Sequence, residues 1–260
     1  MISPASRRGL LAAGLALGAV PAAAQARPRM TIALNWIPNV QFAGLWIAMD
    51  RGYFAAEGIE ARFTPGGPNA PDPLVALASG NAQLATSNWL PFLDAVGRGN
   101  DFVILGATYA RSPGALCSMA RRPIREPRDL VGARVLAQTP SDRLIMTRRR
   151  TIESSRGQVV GFLRALARGW RENEADPAVA ARLAVGRYGS ELGLNLAQQT
   201  RQNELQIPLV PNANGPRVIW FDPALLGGSM TEIARATNRT VPPAGQILDL
   251  SLIEEALRSG

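Results

Sequence analysis

Apolar and polar positions recur along this chain with two periods, and the switches between them mark its elements. Residues 30–34 form a short apolar strand. Pro38 and Asn39 make a turn, Asn39 suits an N-cap, and Phe42, Leu45, Trp46 and Met49 recur at helical spacing as far as Asp50. Gly52 ends that helix, Tyr53-Phe54 opens a short second one, and Gly58 stops it. Residues 59–64 alternate as a strand does, and Pro65-Gly66-Gly67-Pro68 is a loop. Asp72-Pro73 caps a helix that carries Leu74, Val75, Leu77 and Ala78 and stops at Gly80. A small strand at 83–86 runs into Ser87-Asn88, which opens a helix with Trp89, Phe92, Leu93 and Val96 on one face. Residues 102–105 read as a buried strand and 115–119 as another. The alternation over 30–108 predicts a parallel sheet with crossover helices.

The pattern then changes. Pro127-Arg128-Asp129-Leu130 begins a turn of helix, and 134–137 reads as a strand. Gln138-Thr139-Pro140-Ser141-Asp142-Arg143 looks like a loop entering a helix, yet Leu144-Ile145-Met146-Thr147 reads as a further strand. The C-terminal half is mainly helical. Val159, Phe162, Leu163, Leu166 and Trp170 fall at helical spacing within 153–170. Asp176-Pro177 caps the next helix, to about Tyr188, and Ser190 caps a third through Leu194 and Ala197 toward Leu205. A loop rich in Pro and Asn covers 208–216, Asp222-Pro223 caps another helix, and 250–257 is the last. There is no internal repeat.

Composition narrows the picture. At 260 residues, 47% hydrophobic and 18% charged, the chain has a globular balance and room for one large or two small domains. It has no His and no Lys, so all 28 basic side chains are Arg and the formal net charge is +8. Dispersed Arg fits solvated faces. The one dense run, Arg148-Arg149-Arg150, has no interleaved aromatic platform, which argues against nucleic acid as a partner. A single cysteine, Cys117, forms no internal disulfide and reads as a buried small hydrophobe, and without His there is no His/Cys metal site. Trp46 reads as core, Asp50 and Glu57 as exposed helix charges.

Residues 1–26 read as a signal peptide. Arg7 and Arg8 supply the positive end, and Pro21 and Ala24-Gln25-Ala26 supply the break and the small-residue cleavage site. The apolar run from Leu10 to Val20 falls short of the about 20 residues that a membrane span needs. Ser6-Arg7-Arg8-Gly9-Leu10-Leu11 also resembles a twin-arginine export signal. The expected location is the periplasm.

Several short segments, in this order, resemble one bacterial family. They are Leu34-Asn35-Trp36-Ile37-Pro38-Asn39, Ala43-Gly44-Leu45, Arg51-Gly52-Tyr53-Phe54, Glu57-Gly58-Ile59, Leu77-Ala78-Ser79-Gly80 and Pro127-Arg128-Asp129-Leu130-Val131-Gly132, with Thr147-Arg148 leading into the long helix. The chain is similar to the periplasmic substrate-binding proteins of ABC importers in the SsuA/ThiY-like group related to thiamine-pyrimidine synthase. The resemblance covers 30–143 well, 144–200 fairly, and little after Asn203. It implies an α/β, type II periplasmic-binding-protein-like fold of two lobes joined by crossing strands, with ligand in the cleft. A complete second lobe would need on the order of 80–100 residues. Between the strand ending at Met119 and the one starting at Leu144 lie only about two dozen, where a short βα unit alone needs about 30. The reading is therefore one lobe nearly complete, from 27–112 and 148–260 with its C-terminal helices, and a truncated second lobe at 113–147.

Ligand sites in open α/β sheets lie at the strand C-terminal ends. Here those ends carry Asn35 and Trp36, Gly66 and Gly67, Ser87, Asn88 and Trp89, and Thr108 and Tyr109. Trp36, Trp89 and Tyr109 suit a planar heterocycle but equally suit core packing, and Asn88 is equally an N-cap. Asn35 and Asn88 offer amide donors and acceptors, Gly66-Gly67 is either a close-approach site or a tight turn, and Ser87 or Asn88 at a helix start suits a polar or anionic group. The expected function is solute capture for an ABC permease, as a monomer without cofactor. The ligand class is a pyrimidine, flavin or sulfonate, with a thiamine-precursor pyrimidine or similar aromatic heterocycle favoured. One alternative is an enzyme like the thiamine-pyrimidine synthases, whose family chemistry uses a pyridoxal phosphate Lys and an internal His, both absent here. Another is a degenerate, non-transporting interaction protein.

Overall fold

The computed structural model describes residues 26–110, 114, 117–134, 143–210 and 218–258. Residues 1–25, which hold nearly all of the expected signal peptide, lie outside the described residues, as do 115–116 and 135–137 of two expected strands and most of the 208–216 loop.

The first half builds the sheet. Strand β1 (Arg29–Ala33) leads through a 3-10 turn, Val40–Phe42, into α1 (Ala43–Asp50) and α2 (Tyr53–Ala56), then β2 (Glu60–Thr64), α3 (Pro73–Ser79), β3 (Leu84–Ser87), α4 (Trp89–Gly97) and β4 (Phe102–Ala107). After a 3-10 turn at Pro127–Leu130 come β5 (Leu144–Arg148) and the long α5 (Arg149–Ala175), with a non-helical residue at Ser155. Then follow α6 (Pro177–Leu183) continuing as a π-helical turn, Ala184–Tyr188, and α7 (Leu196–Gln206). The end of the chain holds α8 (Ala224–Gly227), α9 (Ser229–Ala236), α10 (Ala244–Ile247) and α11 (Ser251–Arg258).

The five strands order as β2-β1-β3-β5-β4. β1 pairs parallel with both β2 and β3, as the alternation predicts. β5 is antiparallel to both β3 and β4, which the alternation over 30–108 did not reveal. The register explains why. Leu144 opposes both Ser87 and Ala107, so the chain re-enters at the edge where β4 left it and must run backwards between its neighbours. The returning crossover strand is thus an interior strand of this sheet.

Side chains alternate across the sheet and build two cores. Ile32, Leu34, Val103, Leu105 and Ile145 face α1, α2, α5 and α11, while Ala33, Phe102, Ile104, Leu144 and Met146 face α3, α4, α9 and α10. Covered on both faces, β3 and β4 are buried throughout, hence the unbroken apolar sequence of β4; β3 ends in the buried polar pair Thr86-Ser87. The result is a helix–sheet–helix sandwich. Val159, Phe162, Leu163, Leu166 and Trp170 of α5 are all buried, as their spacing predicts.

Some expectations are corrected. Ser190 does not cap α7. It opens a 3-10 turn that ends at Gly193, in the left-handed region at φ 61°, and Asn195 accepts from Gln198 N at 2.9 Å instead. Cys117 is exposed, and 117–119 form no strand; no core element reaches that stretch to bury it. Glu57 is half-buried rather than free, paired with Arg164 at 2.6 Å. α9 and α10 were not anticipated. The Arg148–Arg150 run works locally: Arg148 and Arg150 donate to the Ala78 carbonyl at the C-terminal end of α3, at 3.3 and 3.4 Å.

Candidate functional site

Register brings one end of every strand to a common edge. Ala33 lies beside Thr64 and Ala85, and Leu144 lies beside Ser87 and Ala107. β1 has its successor β2 on one side and β3 on the other, so the chain direction of the crossovers reverses there, the place where open sheets hold ligands.

At that point Asn35 and Thr86 lock together. The Asn35 backbone N–H donates to Thr86 Oγ1 at 3.0 Å, and the Thr86 hydroxyl donates to Asn35 Oδ1 at 2.9 Å. Asn35 Nδ2 reaches Asn88 Oδ1 across a long 3.5 Å. Asn88 stands at the N-cap of α4 without a side-chain capping bond. The two amides are half-buried, so their remaining donors and acceptors are positioned at the edge rather than spent in the core. Trp36 is also half-buried and packs along the first core.

The two glycines answer to local geometry. Gly66 N donates to the Trp36 carbonyl at 3.0 Å, and a Cβ there would stand 2.6 Å from Trp36 N and collide with the Leu34 carbonyl. Gly67 sits at φ 137°, which other residues rarely adopt. Ser87 is buried as the last residue of β3.

Trp89 and Tyr109 lie deeper than a stacking platform needs. Trp89 is 1% exposed, stacks on Phe92 and donates from Nε1 to the Met230 carbonyl at 2.8 Å. The α9 backbone therefore seals it. Tyr109 is buried, and its hydroxyl donates to Gln206 Oε1 at 2.8 Å. Burial pushes the Tyr109 phenol above its ordinary value, against the opposing pull of the Arg143 charge.

Two residues at this edge escaped the sequence reading, Arg143 and Gln41. Arg143 is buried and donates from Nη2 to Gln41 Oε1, and its guanidinium lies over the rings of Phe42 at 4.8 Å and Tyr109 at 5.7 Å. The available signal was an Arg immediately before the apolar run 144–146. Burial lowers its pKa from the ordinary value, yet an Arg stays charged. Two surface hollows, of about 610 and 400 Å³, lie elsewhere, beside α8 to α10 and beside the break at Ser155; no residue of the strand edge lines either. Among the described residues no group of acidic, His and Cys side chains suits a metal ion.

Comparison with known proteins bears on the fold that carries this edge. A family described as "NMT1/THI5 like" matches residues 39–143. That stretch includes Ala43-Gly44-Leu45, Arg51-Gly52-Tyr53-Phe54, Leu77-Ala78-Ser79-Gly80 and Pro127-Arg128-Asp129-Leu130, on which the sequence resemblance rests. The riboflavin-binding protein RibY of Chloroflexus aurantiacus is 33% identical over 107 residues, 40% of this chain and 30% of that one. The formylaminopyrimidine-binding protein of Halalkalibacterium halodurans is 32% identical over 114 residues, 43% of this chain and 33% of that one. The chain thus spans about a third of the curated relatives it matches. Among solved structures, one from Bordetella bronchiseptica RB50 superposes with a TM-score of 0.62 at 12% identity, covering 89% of this chain and 98% of the other. A Candida albicans protein described as exhibiting the generic periplasmic binding protein fold gives 0.56 at 11%, covering 89% and 95%. The ligand-binding component of an ABC-type import system from Staphylococcus aureus gives 0.57 at 12%, covering 88% and 99%. Residues 39–143 are thus similar to the NMT1/THI5-like family, and the fold is that of the periplasmic binding proteins.

Proposed function

We propose that this protein is the solute-binding component of an ABC import system, exported to the periplasm, and that it holds a small molecule at the common strand edge. The observation that carries this reading is the Asn35–Thr86–Asn88 cluster, which fixes two half-buried amides at the point where the crossovers reverse. The favoured ligand is a thiamine-precursor pyrimidine or a similar aromatic heterocycle. Amides suit ring nitrogens and exocyclic groups, and the relatives named above bind a formylaminopyrimidine and riboflavin. With Trp89 sealed, Trp36 is the aromatic that remains for stacking. Catalysis of the thiamine-pyrimidine-synthase kind is disfavoured, because a Schiff base needs an amine and the chain has no Lys.

Thermal shift and calorimetry against pyrimidines, riboflavin and sulfonates test the proposal. A heterocycle that stabilises the fold, with the effect lost in Trp36→Ala, supports it. No shift with any solute at high concentration sinks it. A second reading, a non-transporting interaction protein, draws on the stretch between β4 and β5. Among its described residues the only regular element is the turn at Pro127–Leu130.

A further inference from the structure

We propose that Arg143 anchors an oxyanionic group of the ligand, so that the solute held at the strand edge is an acid; this rests on the solute-binding reading above. Arg143 is 2% exposed, and Nε and Nη1 are buried with no hydrogen-bond acceptor among the described residues. Nη2 alone is engaged, by Gln41 Oε1. Among the described residues no carboxylate pairs with the guanidinium, and the nearby Tyr109 phenol, its pKa raised by burial, is neutral. Buried charges in proteins are ordinarily paired and hydrogen-bonded, because an unpaired one forfeits its hydration without return. The ring faces of Phe42 and Tyr109 return part of that loss but accept no N–H in the guanidinium plane. A compact oxyanion would accept those donors directly, and planar guanidinium forks match such groups well.

Position supports the same reading. The Arg143 carbonyl accepts from Thr108 N at 3.0 Å, which holds the residue at the end of β4, on the edge that also carries Asn35 and Asn88. Its φ of 45° is in the left-handed region, unusual for a long side chain, and the fold keeps it there. Two other guanidinia with an unsatisfied Nε differ in kind. Arg164 is paired with Glu57, and Arg148 donates to the Ala78 carbonyl from a partly exposed position. The anchor thus adds an electrostatic requirement to a site that otherwise offers only amides and a ring.

The test uses the full chain and three probes, inorganic phosphate, methanesulfonate and acetate, each against chloride at equal ionic strength. At least one oxyanion should raise the Tm above chloride and bind in calorimetry, with affinity at least tenfold weaker in Arg143→Gln. Gln41→Glu places a carboxylate within reach of Nη2. That variant should melt higher than wild type without ligand and lose the oxyanion response, so it carries the test if Arg143→Gln fails to fold. A wild-type Tm no higher in any oxyanion than in chloride overturns the proposal, and so does a response that persists in both variants. Neutral heterocycles binding equally to wild type and Arg143→Gln, with no oxyanion effect, would keep solute capture and overturn the anchor. An oxyanion response lost in both variants, with no organic solute binding, would support the anchor and sink solute capture.

Discussion

Gly44 and Gly169 meet where α1 crosses α5. A Cβ on Gly169 would lie 2.9 Å from the Gly44 carbonyl carbon and strike its oxygen, and one on Gly44 would enter the Trp170 ring. The two backbones touch because neither position carries a side chain, and Trp170 closes the crossing at 2% exposure. This crossing holds α5 against the helix that leads out of the strand edge.

Gly169→Ala should therefore destabilise the fold. Overpacking of a close contact costs about 1–3 kcal/mol. A chain of this size loses roughly 2–4 °C in Tm per kcal/mol. Circular dichroism melts of Gly169→Ala and of Gly157→Ala, which has open space around it, check the assignment. Equal melting of the two variants would refute the crossing as the cause.

Trp89→Phe should lower stability without altering solute affinity. The change removes the donor to the Met230 carbonyl and leaves a buried acceptor unmatched, worth roughly 1–3 kcal/mol. Urea titration reads the stability and calorimetry the affinity. A variant that is stable yet binds solute weakly would return Trp89 to the site.

The sequence left Trp89 open between the site and the core, because what buries it is not local. Its helix and its N-cap at Asn88 were legible because caps and periodicity are local. Asp72, Asp176 and Asp222 were legible on the same grounds and, unlike Asn88, accept backbone bonds with their side chains, from Leu74, Ala178 and Ala224 N at 2.8, 3.0 and 3.0 Å. The partner that seals Trp89, Met230, is 141 positions away on a helix that was not anticipated. Long-range pairing also decides where β5 sits, since an apolar run such as 144–147 fits any interior slot. Arg143 was invisible for a different reason. An Arg beside a strand reads as a solvated end unless the rings of Phe42 and Tyr109 are known to cover it.

The Arg51–Tyr53–Glu172 cluster should set part of the pH profile. Glu172 accepts from the Tyr53 hydroxyl and from Arg51 Nε at 2.7 Å. Burial alone would raise the Glu172 pKa, but the hydrogen bonds from Tyr53 and Arg51 outweigh it and hold it below the ordinary 4.5. Its contribution is present above about 4.5 and is lost as pH falls through the lower folded value. Tyr53 moves the other way, raised above 10.0 by burial and by the Glu172 bond. Its contribution is complete below 10.0 and is lost as pH rises through the higher folded value. Melting curves across pH should show both limbs, and Glu172→Gln should flatten the acid one. An unchanged acid limb in that variant would assign it to other carboxylates.

Gln206→Leu should damage the strand edge from a distance. Gln206 Nε2 donates to the Val40 carbonyl at 2.8 Å and to Asn203 Oδ1 at 2.7 Å, while its Oε1 accepts from Tyr109. Val40 N in turn donates to Gln199 Oε1 at 2.9 Å, so α7 clamps both backbone groups of the residue that opens the 3-10 turn before α1. A leucine leaves the buried Val40 carbonyl and Tyr109 hydroxyl unmatched, each at a cost of about 1–3 kcal/mol. It also frees the Tyr109 ring that lies over Arg143 and loosens the turn that carries Gln41 and Phe42. Stability should fall and the Arg143-dependent oxyanion response should weaken with it. Tyr109→Phe removes only the hydroxyl and keeps the ring, so it should cost less stability and retain that response. Urea unfolding and phosphate or methanesulfonate titration of both variants separate the two effects. A Gln206→Leu protein with full oxyanion affinity would show that the clamp and the anchor are independent.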